Sequence, residues 1–158
     1  MSGTAALDAL TAAALPYRVI RHGHVGSLAE AAAQRGVPIP DVVKTIVIRR
    51  GEGDYLFILV PGDRVISWPK LRALLGVSRL SMPGAAEARD ATGYERGTIT
   101  PFGATTAWPV VADERVRGRE ITLGGGAAGV AVAVAADEII AVLGATLADV
   151  TEPDPAAG

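Results

Sequence analysis

The chain has 158 residues, of which 49% are hydrophobic and none is cysteine, and its formal net charge is -2. This size suits one domain with one core, and the missing thiols exclude a disulfide framework, a thiolate nucleophile and a cysteine zinc site. The low charge argues against a general nucleic-acid coat protein, so any nucleic-acid contact must be local. Without a basic leader or an apolar run of roughly 20 residues, we expect a soluble cytoplasmic protein.

The first third of the chain predicts two helices and one strand. Apolar residues at helical spacing predict a helix over residues 5–15 that Pro16 ends. Residues 17–20 are typical of a short strand. Ser27 has the position of a capping residue for an Ala-rich helix that ends near Gly36.

The middle of the chain predicts a central hairpin followed by two short helices. Residues 42–48 and 55–60 are almost wholly apolar and rich in β-branched side chains, which favours two paired strands. Pro69 suits the first turn of a helix that Gly76 closes, and a further short helix is expected after Gly84.

The last third predicts a polar surface loop over 92–106 and then strands at 108–112, 120–123 and 130–134, a helix at 137–143 and a frayed tail at 151–158. Strands and helices mix without strict βαβ alternation. We therefore expect one α+β domain over residues 1–150, with a mixed, barrel-like β-sheet and peripheral helices, followed by a polar tail.

Lys44 interrupts the apolar run 42–48. An ammonium group in such a strand costs free energy unless it has a partner or reaches water. Its stem could pack on the sheet while its head reaches solvent. Alternatively, Lys44 could stand at the mouth of a pocket, where it would hold a phosphate or stabilise charge on an ester oxygen.

Two glycine-rich segments could approach a ligand closely or could be ordinary turns. Residues 97–103 offer backbone amides between two glycines, with Pro101 stiffening the middle. Residues 124–126 are three consecutive glycines, but they match neither a Walker loop nor a dinucleotide fingerprint.

Familiar hydrolytic centres are not indicated. The chain has no cysteine and no HExxH motif that could complete a zinc site with His22 or His24, so the two histidines are a poor metal pair, and we expect neither a metal nor a cofactor. No nucleophile elbow occurs, and Ser27 is explained by its capping position.

Several of these signals share one collinear order, which resembles the YbaK/EbsC family over about residues 15–150. The matching features are His22 with residues 27–32, Lys44 in its apolar strand, and residues 60–63, 92–94, 97–103 and 124–126. The family implies a barrel-like mixed fold and hydrolysis of mischarged aminoacyl-tRNA, typically tRNA for proline carrying a small residue. It also implies the tRNA acceptor end as partner, with prolyl-tRNA synthetase as a further partner.

The resemblance assigns site residues in two groups. The catalytic group is Lys44, Gly97, Thr100 and Pro101. The substrate-binding group is Ile20, His22, Thr98, Ile99, Phe102, Gly103, Gly124, Gly125 and Gly126. In this interpretation the lysine holds the phosphate near the terminal adenosine, while the loop amides embrace the aminoacyl group and orient water.

The chain departs from relatives that act on cysteinyl-tRNA, because Ile20, Gly124 and Ala131 stand where those relatives tend to have polar side chains. A less polar pocket favours a small uncharged residue such as alanine. Two alternatives stay open: a non-catalytic module that binds aminoacyl-tRNA or a small ligand, and a fragment of a larger synthetase.

Overall fold

The computed structural model describes residues 4–157. Its helices are α1 (Ala5–Ala12), α2 (Leu28–Arg35), α3 (Trp68–Leu75), α4 (Ala85–Thr92) and α5 (Ala136–Leu143). Its strands are β1 (Tyr17–Arg21), β2 (Lys44–Gly51), β3 (Asp54–Val60), β4 (Arg64–Ile66), β5 (Val110–Asp113), β6 (Glu120–Gly124), β7 (Val130–Ala135), β8 (Thr146–Ala148) and β9 (Thr151–Pro153). Within the described range, no helix has the length and apolar character needed to cross a membrane.

The strands form three sheets with the orders β2-β3-β5-β8, β1-β7-β6 and β4-β9. In the first sheet β2 and β3 are antiparallel, whereas β5 runs parallel to both β3 and β8. A parallel bridge between Val42 and Thr122 links the first two sheets just before β2 begins. The predicted α+β class is confirmed, but none of these sheets closes on itself, so the structure does not bear out a barrel.

Strand β3 explains why its sequence is a continuous apolar run. Phe57 and Leu59 belong to the larger hydrophobic core, and Leu56, Ile58 and Val60 belong to a smaller core on the other face of the sheet. Successive side chains of a strand point to opposite faces, so a strand buried on both faces must be apolar throughout. This strand anchors its neighbour β2, which begins with Lys44.

The local signals for the helices are confirmed. The Ser27 hydroxyl accepts a hydrogen bond from the Glu30 amide at 3.1 Å and caps α2. Gly36 and Gly76 end α2 and α3 in the left-handed conformation, with φ of 73° and 67°. The first helix is shorter than predicted, since it ends at Ala12.

Two predictions about polar segments are wrong. The tail was expected to be frayed from residue 151, but Thr151–Pro153 forms β9 and pairs with β4. The segment 92–106 lacks strands, yet it is not merely a surface loop, because Tyr94, Thr100 and Phe102 are buried in it. The Tyr94 hydroxyl donates to the Phe102 carbonyl at 2.6 Å, which folds this segment onto the core.

Candidate active site

A cavity of about 240 Å³ lies where α2, the start of β2, the end of β6 and the loop after α4 meet. It is lined by Leu28, Ala31, Arg35, Val42, Val43, Lys44, Thr45, Gly97, Ile99 and Gly124. We call it the lysine cavity. The fold thus brings together four residues that the sequence proposed from three separate segments: Lys44, Gly97, Ile99 and Gly124.

Lys44 is half-buried at the first position of β2, opposite Val60. Its Nζ donates a hydrogen bond to the Arg64 carbonyl on β4 at 2.7 Å, so the ammonium has a backbone partner and two further N–H groups. Burial lowers the pKa of Lys44, and the charges of Asp154 and Asp63 partly oppose that shift. This is a cation held in place at the edge of a cavity.

The glycine of the 97–99 loop has a conformational reason to be glycine. Gly97 has a φ of 89°, and a side chain there would meet open space rather than a neighbour. Among hydrogen bonds between described residues, none uses the amide of Gly97 or of Ile99. Two residues of the cavity wall thus have backbone amides that the fold itself does not use.

The rest of that loop holds its shape and does not line the cavity. Thr98 closes a turn through its amide and hydroxyl, which donate to the Glu95 carbonyl at 3.0 and 2.7 Å. Thr100, Pro101 and Phe102 are buried. A side chain at Gly103 would lie 2.5 Å from the Ala5 carbonyl oxygen, so this glycine permits close packing on α1.

The three consecutive glycines have different surroundings. A methyl group at Gly124 would lie 3.5 Å from the carbonyl oxygens of Thr98 and Ile99, an ordinary contact inside the lysine cavity. At Gly125 it would lie 2.6 Å from Val130, and at Gly126 it would meet Tyr94 at 3.0 Å with a φ of 88°. Gly124 therefore shapes the cavity, whereas Gly125 and Gly126 shape the turn.

Ile20 and His22 do not line the lysine cavity. Ile20 pairs with Ala131 in the β1-β7 ladder. The His22 amide donates to the Gly129 carbonyl at 2.9 Å, and its Nδ1 lies 2.9 Å from the Gly23 carbonyl oxygen. Their predicted contact with substrate stays a prediction.

Among the cavity residues that sequence reasoning missed, two are polar, Arg35 and Thr45. The Nη1 of Arg35 donates to the Thr122 hydroxyl at 3.2 Å, while its Nε is buried and lacks a partner. The Thr45 hydroxyl is also buried without a partner among the described residues. Buried polar atoms are nearly always hydrogen-bonded, so two exceptions in one cavity wall call for an explanation. The only signal in the sequence was their adjacency to Lys44 and to the end of a capped helix.

A second cavity, of about 420 Å³, lies on the other side of Thr45, Gly97 and Ile99, which line both spaces. Its further lining is Ile46, Val47, Met82, Pro83, Ala85, Ala88 and Arg96. Met82, in the lining of this cavity, is 55% exposed. A ligand could therefore extend from the lysine cavity across the loop onto a more apolar surface.

A third cavity, of about 480 Å³, is strongly basic. It is lined by Arg49, Arg50, Gly51, Arg72, Ser78, Arg79, Leu80 and Ser81. Arg50 pairs with Asp54 at 3.0 Å and Arg49 lies 3.4 Å from Glu87, whereas no ion pair of Arg72 or Arg79 occurs among residues 4–157. The low net charge of the chain conceals this local surface.

The chemistry available in the lysine cavity is that of cations and amides. Its lining includes no carboxylate and no histidine. Within residues 4–157 no group of three or more His, Asp and Glu could hold a metal ion. The arrangement can bind an anion, donate hydrogen bonds to a carbonyl oxygen and position water.

The family model of the aminoacyl-tRNA editing domain matches residues 22–142. The chain belongs to this family, which confirms the YbaK-type resemblance.

Two of the similar proteins are proline–tRNA ligases. Proline–tRNA ligase of Thermosipho africanus is 34% identical over 94 residues, and that of Trichlorobacter lovleyi is 34% identical over 90 residues. These matches cover 60% and 57% of this chain but only 16% of each ligase. The chain therefore corresponds to a small part of those enzymes.

Solved structures match over nearly the whole chain. A candidate trans-editing enzyme for prolyl tRNA synthetase is 27% identical, with a TM-score of 0.84 over 94% of this chain and 95% of that one. A hypothetical protein is also 27% identical, with a TM-score of 0.86 over 94% of this chain and 99% of the other.

Proposed function

We propose that this protein is a trans-editing aminoacyl-tRNA deacylase that hydrolyses the ester of mischarged tRNA for proline carrying a small uncharged amino acid such as alanine. The observation that carries the proposal is the lysine cavity, where Lys44, Gly124 and the two unused amides of Gly97 and Ile99 meet. Family membership and the likeness to a candidate trans-editing enzyme support it.

Lys44 is proposed to bind the phosphate next to the terminal adenosine. Its ammonium keeps two N–H groups beyond the one that donates to the Arg64 carbonyl, and that bond fixes the position of the charge. A charge-assisted hydrogen bond of this kind contributes about 1.5–3 kcal/mol. Its role is to set the ester at a fixed distance from the loop.

The loop amides are proposed to stabilise the transition state. Water adds to the ester carbonyl carbon and gives up a proton, while negative charge develops on the carbonyl oxygen. When the carbonyl re-forms, the bond to the ribose oxygen breaks and that oxygen takes up the proton that the water lost. Backbone N–H groups of Gly97 and Ile99 suit the developing charge. With no carboxylate or histidine in the lining, we assign the activation of water to a ribose hydroxyl of the substrate.

The proposed amino-acid preference follows from size and polarity. Leu28, Ala31 and Val43 give the lysine cavity an apolar wall, and Gly124 adds room without adding a polar group. Such a wall suits a small apolar group such as a methyl side chain.

The tRNA acceptor end is the proposed partner, and prolyl-tRNA synthetase is the further one. Arg49 and Arg50 of the basic cavity lie on the same strand as Lys44, at its far end. At about 3.3 Å per residue, that separation is about 16–20 Å, which is within the reach of an acceptor stem.

A deacylation panel tests the proposal. Purified protein is incubated with tRNA for proline charged with alanine, cysteine, serine or proline, and with alanine on an unrelated tRNA. We expect fast loss of alanine from tRNA for proline, with or without a chelator. Hydrolysis only of another ester, or activity lost to chelation and restored by zinc, would contradict the proposal.

The absence of an acid or base in the cavity lining gives some support to a second candidate, a module that binds aminoacyl-tRNA without hydrolysing it. A single-turnover experiment with protein in excess separates the two functions. A binding module would retain the charged tRNA while its ester decays at the rate seen in buffer.

A further inference from the structure

Arg35 is a cation that the proposed mechanism does not use. It is the last residue of α2 and lines the lysine cavity beside Lys44. No ion pair of Arg35 occurs among residues 4–157, and burial lowers the pKa of its guanidinium with no acidic neighbour to offset the loss of hydration. A half-buried charge without a counter-charge calls for a specific explanation.

A purely structural role accounts for only one edge of the Arg35 guanidinium group, the edge that carries Nη1. Nη1 donates to the Thr122 hydroxyl and so ties the end of α2 to β6. A cation at the last turn of a helix is also favourable. Neither contact uses the opposite edge, where Nε is buried without a partner.

That opposite edge is the one suited to an oxyanion. Nε and Nη2 of a guanidinium point their N–H groups in parallel, which matches two oxygens of a phosphate or carboxylate. Neither atom donates to a described residue. The bond from Nη1 to Thr122 holds the plane of the fork, which lowers the entropy lost on binding.

The rest of the cavity favours a phosphate over a carboxylate. Two cations and no acid line this space, so it carries a local positive charge. The α-ammonium group of an aminoacyl ester would be repelled from the cations, and a small uncharged side chain brings no anion. The phosphodiester next to the terminal adenosine is the anion that such a substrate necessarily carries.

We propose that Arg35 binds the phosphodiester next to the terminal adenosine of the tRNA. The Nε and Nη2 edge of its guanidinium would contact this phosphate, so that Arg35 and Lys44 hold it from two sides. This inference rests on the proposed function, since it requires an aminoacylated tRNA end as ligand. It adds a binding residue that orients the ester.

The test uses two analogues whose amide link resists hydrolysis: 3′-alanylamino-3′-deoxyadenosine and the same compound with a 5′-phosphate. Calorimetry gives the dissociation constant of each. For the unaltered protein we expect the phosphate to strengthen binding about ten- to hundredfold. In Arg35→Gln we expect about tenfold of that gain to disappear, with the unphosphorylated analogue changed less than about twofold.

Two control variants separate phosphate binding by Arg35 from a general loss of positive charge and from the loss of its hydrogen bond to Thr122. Arg117→Gln makes the same charge change at an exposed position, and we expect no effect on either constant. Thr122→Val removes the acceptor for Nη1 but keeps the guanidinium, so most of the phosphate gain should remain. Melting temperatures of all variants report any loss of folding.

Several outcomes would overturn the inference. Equal weakening of both analogues in Arg35→Gln would mean a structural tether only. Tighter binding of an aspartyl analogue that depends on Arg35 would assign the fork to the amino-acid side chain. An unchanged phosphate gain in Arg35→Gln removes this inference alone, whereas failure of the unaltered protein to bind either analogue removes the proposed function with it.

Discussion

The two lysines of the chain lie in contrasting electrostatic settings. Lys70 donates to both carboxylate oxygens of Asp149 and to the Thr151 carbonyl, all at 3.0 Å. Lys44 has one backbone acceptor and no carboxylate bonded to it. Both residues are partly exposed cations near β4 and β9. Lys70 has an acceptor for each of its three N–H groups, whereas Lys44 has an acceptor for one.

The surroundings of each lysine repeat the contrast. Next to Lys70, the fully buried Asp113 accepts hydrogen bonds from Arg115, the Val150 amide and the Thr151 hydroxyl. We call Lys70, Asp113, Arg115, Asp149 and Thr151 the saturated network. In the lysine cavity, the Arg35 Nε and the Thr45 hydroxyl have no hydrogen-bond partner among residues 4–157. Charged groups whose hydrogen bonds are all made within the protein stabilise the fold. Polar groups with unused hydrogen-bond donors can bind a ligand.

The largest expected effect is on activity at Lys44. Lys44→Ala should lower kcat/KM for deacylation by about a hundredfold or more, because it removes a charge-assisted contact and the positioning that depends on it. The melting temperature should change little. Lys44→Arg should rescue poorly, since a planar fork replaces a compact donor.

Lys70→Ala is the control for this comparison, because it removes the same charge from the saturated network. It should lower the melting temperature while kcat/KM stays within about twofold. Normal turnover in a folded Lys44→Ala protein, or a large loss of turnover in Lys70→Ala, would break the contrast.

The largest expected effect on stability is at Asp113. Asp113→Ala should lower the free energy of unfolding by about 3 kcal/mol, because it removes one of the two carboxylates that accept from Arg115 and leaves two donors of the 150–151 segment without their acceptor. Urea denaturation measures this change. Retained deacylation at a temperature where the variant is folded would show that the network is structural.

The next largest effect is expected for substitutions in the 97–103 loop. Gly97→Val should impair hydrolysis about tenfold or more, and cost about 1–3 kcal/mol of stability from the positive φ. Gly53→Val is a matched control, because Gly53 also has a positive φ with open space around it and lies in the β2-β3 turn. Equal loss of activity in the two variants would mean that the loop is an ordinary turn with no specific role in hydrolysis. Pro101→Ala should likewise impair hydrolysis more than folding.

A smaller effect is expected for Gly124→Ala, which adds a methyl group at ordinary contact distance. Turnover of alanyl-tRNA should fall several-fold, and that of esters with larger side chains should fall further, since the cavity becomes shallower. Gly23→Ala, where a methyl group meets open space, should leave all substrates unchanged. Uniform rates across substrates in Gly124→Ala would place the amino acid elsewhere.

The smallest effect concerns acid stability. Hydrogen bonds from Arg115 and Lys70 lower the pKa of Asp149 to about 2. Because the folded pKa lies below the unfolded value of about 3.9, the stabilisation is present above that pH and is lost as pH falls towards 2. Asp149→Asn should flatten the stability profile between about pH 4 and 2. If stability fell with pH in the same way in Asp149→Asn as in the unaltered protein, Asp149 would not be a stabilising member of the saturated network.

Local patterns predicted much of the fold and part of the site. The apolar runs predicted β2 and β3, and the cap at Ser27 predicted α2. Lys44 was noticeable because it interrupts such a run. Arg35 has no comparable signal, because its environment depends on where α2 packs against β6. Likewise, β9 is polar in sequence and exists through its pairing with β4 and its bonds to Asp113.

The unequal surroundings of the three consecutive glycines bear on how selectivity could evolve. Changes at Gly125 or Gly126 collide with Val130 or Tyr94, so most mutations there should be purged for their effect on folding. Gly124 has neither a positive φ nor a neighbour in the way of a methyl group. A single-base change in a glycine codon yields alanine or valine. The depth of the cavity can therefore drift at this one position while the fold is conserved, and lineages with the same fold could come to clear different amino acids.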